Sequence, residues 1–281
     1  MTATRIGLVG CGAWGKFILR DLKALGAEVS VVARSETSVR RARQYGADTI
    51  VPGLDELPAD LAGIVVAVPT NLHGPVVEAL LPRGVPIFVE KALTSDIASA
   101  ERIVARAGER VFVMDKWRYH PGVEALRQLA QSGRLGRLLA IRSHRWGWSL
   151  THDEVDPIWL LAPHDLAIAY HILGRMPTAT DAAAMILNLR AAEFWANLAE
   201  RDVLVRIELS TLRPINQRGV VVVGEEAAAE LNGSYAESIT IRAASPGTKD
   251  APEEHLPIPS TMPLETELRR FLDTWPADRR R

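Results

Sequence analysis

The opening of the chain, Ile6-Gly7-Leu8-Val9-Gly10-Cys11-Gly12-Ala13-Trp14-Gly15, narrows its fold more than any other stretch. A short apolar run ends at Gly10, and the glycines follow the spacing G-x-G-x-x-G. Phe17, Ile18, Leu22 and Leu25 then recur on one helical face. Strand, tight turn and helix in that order give each glycine a task. Gly10 permits the turn, Gly12 removes a Cβ so that a pyrophosphate can approach the backbone, and Gly15 lets helix and strand pack closely. The free N–H groups and positive dipole end of the helix then face phosphate. A dinucleotide site is expected over Gly10, Gly12, Ala13, Trp14 and Gly15, with an ordinary structural turn as the competing reading.

Alternation of strand and helix continues after this unit. Glu28–Ala33 reads as a strand and Glu36–Tyr45 as a helix. Ile64–Val68 is a continuous apolar run of the kind buried in parallel sheets. Leu72–Leu81 reads as helix, Pro86–Val89 as strand, Ser95–Ala107 as helix and Val111–Met114 as strand. The pattern predicts an α/β fold, a doubly wound parallel sheet over residues 1–117, with its ligand crevice at the carboxyl ends of the strands. From about Trp117 the character changes. Gly122–Ser132 reads as helix, Arg137–Trp148 as strand, and Ile158–Leu173 as helix interrupted by Pro163, which marks a helix start. Strand-like runs follow at Thr178–Leu189, Glu193–Ala199, Val203–Thr211, Gly219–Val223 and Ile239–Arg242. Residues 118–281 are therefore expected to form a second, α+β domain with an open, mainly antiparallel sheet. Ser245–Pro263 reads as a long surface loop and Leu264–Trp275 as a last helix of that domain. An open sheet of this size needs a cover on its other face, so a homo-oligomer, dimer or tetramer, is expected through it.

Bulk composition excludes several classes. The 281 residues carry 33 Lys and Arg against 34 Asp and Glu, which gives no electrostatic case for a nucleic-acid or membrane partner. Arg279-Arg280-Arg281 reads as a frayed tail. The single cysteine, Cys11, rules out an intrachain disulfide and reads as packing in the glycine turn. No charged-then-apolar leader stands at the N-terminus, and no apolar run approaches the roughly 20 residues that span a bilayer. A cytoplasmic location is expected. His144, His152 and Asp153 lack tight ligand spacing, so no metal is expected.

Three further stretches carry chemistry. After the second strand, where a dinucleotide binder often places an acid for the ribose 2′-hydroxyl, the chain has Arg34-Ser35. A guanidinium and a hydroxyl suit a 2′-phosphate, which argues for NADP over NAD; a solvated loop arginine is the other reading. Val68-Pro69-Thr70-Asn71-Leu72-His73 follows the next apolar strand, and Val89-Glu90-Lys91-Ala92-Leu93 the one after. With these runs, Arg118-Tyr119-His120-Pro121, Leu135-Gly136 and Ala162-Pro163-His164-Asp165 through Leu173-Gly174, the chain resembles the glucose–fructose oxidoreductase/inositol dehydrogenase/MocA family over essentially its whole length.

The resemblance implies NADP or NAD as cofactor and hydride transfer to or from a sugar, a sugar derivative or a cyclic polyol. It implies that Glu90-Lys91 matches the family's Glu-Lys-Pro triplet, with Ala92 in place of proline, and that Lys91 lies beside nicotinamide and substrate. There the ammonium hydrogen-bonds the substrate oxygen as hydride moves. Pro69, Thr70, Asn71, His73 and Glu90 are implied cofactor contacts, although Thr and Asn also cap helices. His164 matches the histidine of an Asp-x-x-x-His motif and is the implied proton acceptor or donor. The position four residues before it is Leu160, so the family's orienting acid is missing; Asp165 or Asp156 is the expected substitute. Arg118, Tyr119, Trp148, His164 and Asp165 are expected substrate contacts, with Trp117, Trp146 and Trp159 near them; tryptophans also fill cores. Leu160 favours a competing reading, a cofactor-binding paralogue that senses or scaffolds. A redox-assisted glycoside-cleaving relative is a third.

Overall fold

A computed structural model describes residues 3–148, 155–244 and 251–274. The chain divides into two units, Met1–Asp115 with Leu264–Arg281, and Lys116–Pro263.

In the first unit, β1 (Arg5–Val9), α1 (Gly15–Ala24), β2 (Glu28–Val32), α2 (Glu36–Gln44), β3 (Thr49–Val51), β4 (Gly63–Val66), α3 (His73–Leu80), β5 (Ile87–Val89), α4 (Ile97–Ala107) and β6 (Val111–Val113) alternate. The six strands form one parallel sheet in the order β3-β2-β1-β4-β5-β6. Its central strands are buried on both faces, which is why they read as apolar runs. Ile6, Leu8, Val29 and Val31 pack against Ile18, Leu19 and Leu22 of α1. Val9, Ile64, Val66 and Val89 pack with Val77 and Leu80 of α3 and Ile103 of α4. Asp96 caps α4 by accepting from the Ser99 N–H at 2.9 Å.

The second unit holds α5 (Pro121–Gln131), β7 (Leu138–Trp148), α6 (Pro157–Leu173), β8 (Thr178–Leu187), β9 (Arg190–Glu200), β10 (Val203–Ser210), β11 (Leu212–Gly224), β12 (Ala227–Asn232), β13 (Ser238–Ala243) and β14 (Glu253–Pro257). Its sheet runs β14-β13-β12-β11-β7-β10-β9-β8. All neighbours are antiparallel except β7 and β10, so the expected sheet is mainly antiparallel with one parallel joint. One face is covered by α5 and α6, through Val123, Leu126, Ile168 and Ile172 against Ile141, Val205, Ile207 and Val222. The other face leaves Leu204, Arg206 and Arg142 exposed.

Several expectations need correction. The last helix, α7 (Pro263–Thr274), belongs with the first unit rather than with residues 118–281. Leu264, Leu268 and Phe271 join the core around β1 and α1, and the Phe271 ring stacks on Phe88 at 4.8 Å between centroids. An amphipathic face does not say which core it will cover, so sequence order alone misplaced it. The proline-rich stretch expected to be loop contains β14, an edge strand paired with β13; residues 245–250 of it lie outside the described part, as do Trp275 and Arg279-Arg280-Arg281. Pro163 does not start a helix. The start is Asp156-Pro157, with the Asp156 carboxylate accepting from Ile158 N–H at 2.9 Å and proline at the first helical position. The helix runs on through Pro163. Proline there removes only the hydrogen bond that Trp159 C=O would accept, and packing of α6 on the sheet outweighs that loss.

One ionic group ties α5 to α6. Glu124 accepts from Arg127 Nε at 2.8 Å, from Gln128 Nε2 at 2.9 Å and from His171 of α6 at 2.9 Å. These partners, Arg127 foremost, hold its carboxyl down to about 2, against an ordinary value of 4.5. A carboxyl lowered on folding stabilises the fold above its unfolded value, and the contribution is lost as pH falls through the folded one. Glu124→Gln is therefore expected to lower the melting temperature at pH 7. The gap to wild type should narrow as pH falls from about 4.5 towards 2, read by melting curves across that range.

Candidate active site

The glycine turn carries out the geometry its spacing demands. Gly10 has φ of +98°, and a Cβ there would lie 2.7 Å from Ala67 O; a Cβ on Gly15 would lie 2.3 Å from Gly10 O. Around Gly12, by contrast, the space a Cβ would enter is open. The first turn of α1 has no acidic residue and its N-cap, Trp14, makes no side-chain capping bond. Amide donors at a helix start, an open cradle and a first turn without acidic residues fit a pyrophosphate. Ala13 and Trp14 are exposed beside it. Cys11 is buried, and burial pushes its thiol up, which agrees with packing rather than a reactive thiolate.

Arg34 and Ser35 stand at the end of β2, both exposed. Arg34 Nε donates to Pro52 O at 3.0 Å, which fixes its stem. Ser35 is the N-cap of α2: its Oγ accepts from Ser38 N–H at 3.2 Å and donates to Ser38 Oγ at 3.0 Å. The hydroxyl expected to meet a cofactor is thus largely used in capping.

The loops after β4 and β5 are held together from within. His73 is 1% exposed, with Nδ1 2.6 Å from Ala92 O and Nε2 2.9 Å from Val68 O. Burial, foremost, pulls its imidazole below the ordinary value against the opposing pull of the two carbonyls. Both ring nitrogens are taken, so His73 is not a cofactor contact as expected; it braces the loop that carries Lys91. Lys91 is half-buried, and its peptide bond to Ala92 is cis. Glu90 accepts from the Lys91 N–H at 3.2 Å and from the indole N–H of Trp14, joining this loop to the glycine turn. Pro69 and Asn71 are exposed, whereas Thr70 is buried.

In the second unit, His164 lies in the middle of α6 and is buried, its ring edge-on to Trp117 at 6.5 Å between centroids. It is well inside the helix, away from the N-terminus at Asp156-Pro157. Leu160, one turn earlier, is buried apolar. Neither expected substitute acid serves His164. Asp156 is spent on Ile158 N–H and on Ala191 N–H, the latter at 2.9 Å. Asp165 is 2% exposed and accepts from Arg145 Nε at 2.6 Å, so it is not a substrate contact either. Burial pushes the Asp165 carboxyl up, opposed by Arg145 and the Ser143 hydroxyl. Adjacent positions on a helix point to different sides, which puts His164 and Asp165 in different company.

Arg118 is exposed and lies over the Tyr170 ring at 5.3 Å; Tyr119 is half-buried and Trp148 is exposed at the end of β7. Trp117 is buried, with His120 stacked at 5.0 Å and the Arg145 guanidinium 4.6 Å from its ring. Among the described residues no cluster of His, Cys, Asp or Glu could hold a metal ion; His152 and Asp153 lie outside them. Arg145 was missed from sequence, although it sits at an inward position of the alternation Ile141, Ser143, Arg145.

Residues 4–114 match the family model GFO_IDH_MocA, described as an oxidoreductase family with an NAD-binding Rossmann fold. Over this segment the chain is similar to the Gfo/Idh/MocA oxidoreductase family. UDP-N-acetylglucosamine 3-dehydrogenase of Acidithiobacillus ferrooxidans is 26% identical over 208 residues, 70% of this chain and 64% of that protein. Inositol 2-dehydrogenase of Corynebacterium glutamicum is 33% identical over 156 residues, 50% of this chain and 45% of that protein. The chain thus spans between about half and just under two thirds of these curated relatives. Among solved structures, the same Acidithiobacillus dehydrogenase superposes with a TM-score of 0.83 at 21% identity, over 98% of this chain and 89% of that one. Levoglucosan dehydrogenase in complex with NADH and levoglucosan superposes with a TM-score of 0.79 at 16% identity, over 95% and 83%. These likenesses establish the two-part fold beyond the segment that the family model covers. No helix among the described residues is long and apolar enough to cross a membrane.

Proposed function

We propose that this chain is an NAD(P)-dependent dehydrogenase that interconverts an alcohol and a ketone on a sugar, a sugar derivative or a cyclic polyol. The observation that carries the reading is the open cradle at Gly12 on the start of α1, tied through Trp14 and Glu90 to the loop of Lys91. The relatives point the same way, being named for dehydrogenation of an inositol and of a UDP-linked amino sugar. A bound nicotinamide cofactor would supply the hydride acceptor or donor. Gly10, Gly12, Ala13 and Gly15 would hold its pyrophosphate, with Pro69, Thr70 and Asn71 beside its nicotinamide half. Lys91 donates a hydrogen bond to the reacting oxygen and offsets its developing negative charge. His164 takes the hydroxyl proton in oxidation and returns it in reduction. Arg118, Tyr119 and Trp148 are proposed to line the sugar.

Tryptophan fluorescence titrated with NADH and NADPH, followed by a sugar and polyol panel read at the nicotinamide absorbance, tests the reading. Absence of binding by either nucleotide would end it. The free guanidinium nitrogens of Arg34 support a preference for NADP. Arg34→Ala should weaken NADPH by about tenfold and NADH by less than twofold, in keeping with one lost charge-assisted contact; equal losses would discard the preference. The outer face of the second sheet, with exposed Leu204 and half-buried Trp146 and Trp195, supports self-association through that face. One cysteine, buried, leaves no intrachain disulfide to form, in keeping with the cytoplasmic setting proposed.

A further inference from the structure

The second unit holds a charged cluster that none of the roles above uses. Arg145 on β7 and Arg218 on β11 are directly opposed across the antiparallel ladder, so both side chains leave the sheet on the face that α6 covers. Arg145 is 5% exposed; its Nε bonds Asp165 and its guanidinium lies over Trp117. Ser143, two residues earlier on the same face, donates to Asp165 as well. The carboxylate is thereby committed. Arg218 is exposed, and among the described residues it has no carboxylate within ion-pairing distance; it makes a long contact of 3.5 Å to Ser234 Oγ. Two guanidinium ions against one carboxylate leave a positive charge uncompensated. Although Arg218 as a residue is exposed, its head group is crowded. Desolvation first, and then the like charge of Arg145, pull it below the usual arginine value.

A small cavity of about 10 Å³ lies against Trp117, Arg145, Asp165, Arg218, Gly219 and Gly233. That is room for a water or a single oxygen atom, not for a sugar ring. His144, Val220 and Leu231 complete the lining of the cavity, and the His144 ring covers Gly219. We propose that Arg218, with Arg145 behind it, receives an anionic group of the substrate, a carboxylate or a phosphate carried by the sugar, with one of its oxygens seated in this cavity. The planar guanidinium fork suits two oxygens of such a group. Trp117 lines this cavity and also lies edge-on to His164 at 6.5 Å between centroids, which links the anion subsite to the residue proposed to handle the proton. The inference rests on the sugar-dehydrogenase reading and narrows its substrate class to acidic sugars.

The test is calorimetric titration of the full chain with glucuronate, glucose 6-phosphate and glucose, in wild type, Arg218→Gln and the control Arg206→Gln, which removes an exposed arginine from the opposite sheet face. Wild type should bind at least one of the two anions ten or more times tighter than glucose. R218Q should erase that advantage, R206Q should keep it, and Arg218→Lys should retain part of it. The stronger of glucuronate and glucose 6-phosphate identifies carboxylate or phosphate as the preferred group. Equal binding of the three sugars, no binding of any, or an anion preference that survives R218Q would overturn the proposal. Binding is read without turnover, so a failure to reduce NAD(P) with sugars would count against the dehydrogenase reading alone.

Discussion

Replacing Lys91 by alanine is expected to lower turnover by about 10²–10³-fold while NADH or NADPH binding changes by no more than a few-fold. The magnitude is that of removing one preorganised donor aimed at developing oxyanion charge. The asymmetry follows from the structure of the loop. What holds the loop after β5 is its backbone and neighbours: His73 against Ala92 O and Val68 O, and Glu90 between Trp14 and the Lys91 N–H. These four contacts use no atom of the Lys91 side chain and remain when it is shortened, so the glycine turn and the loop should stay in place. Lys91→Arg keeps the charge but not the compact ammonium, and is expected to restore only part of the rate. Steady-state kinetics beside fluorescence titration separates the two effects. Unchanged turnover in K91A would remove Lys91 from the chemistry, and lost nucleotide binding would make it a structural residue.

The parts of this fold that could be read from sequence are those whose constraint is local. The turn at Gly10–Gly15 is one, because a positive φ, a backbone approach and an open cradle each demand glycine within a few residues. The buried parallel strands are another, since burial on both faces leaves only apolar residues. The α7 helix shows the limit. Leu264, Leu268 and Phe271 announce an apolar stripe, yet their partners, Phe88 and the core of β1, lie far earlier in the chain. His73 and Asp165 show the same limit at the site. A histidine after a strand and an acid beside a histidine look like ligands to substrate or cofactor. Only the fold shows that one is consumed by two carbonyls and the other by Arg145. Side chains with several possible partners are not legible until those partners have positions. Lys91 stood out because its place is set by the carboxyl end of a strand, which the apolar pattern does mark.

Asp165→Asn is expected to be the most damaging single change to stability in the second unit. The pair it breaks is almost wholly enclosed, with 5% and 1% of the Arg145 and Asp165 side chains exposed. Burial pushes the Asp165 carboxyl up even with Arg145 and Ser143 beside it, so desolvation outweighs the pairing. A pair of this kind adds little net stability, but removing one partner leaves a buried charge with nothing to offset it, at about 3–5 kcal/mol. Here the penalty is sharpened by Arg218, since asparagine would leave two guanidinium ions facing a neutral amide. For a unit of this size that corresponds to a melting temperature lower by roughly 10 °C or more. The double replacement Arg145→Met with Asp165→Leu removes both charges together. It should melt well above D165N and close to wild type, since apolar groups of similar volume replace buried pairs at little cost. Circular dichroism melts of wild type, D165N and the double variant decide the matter. If D165N melts with wild type, the carboxylate is not what holds Arg145, and the charge excess argued for the cavity beside it loses its basis. If the double variant is as unstable as D165N, the damage lies in packing around Trp117 rather than in the uncompensated charge.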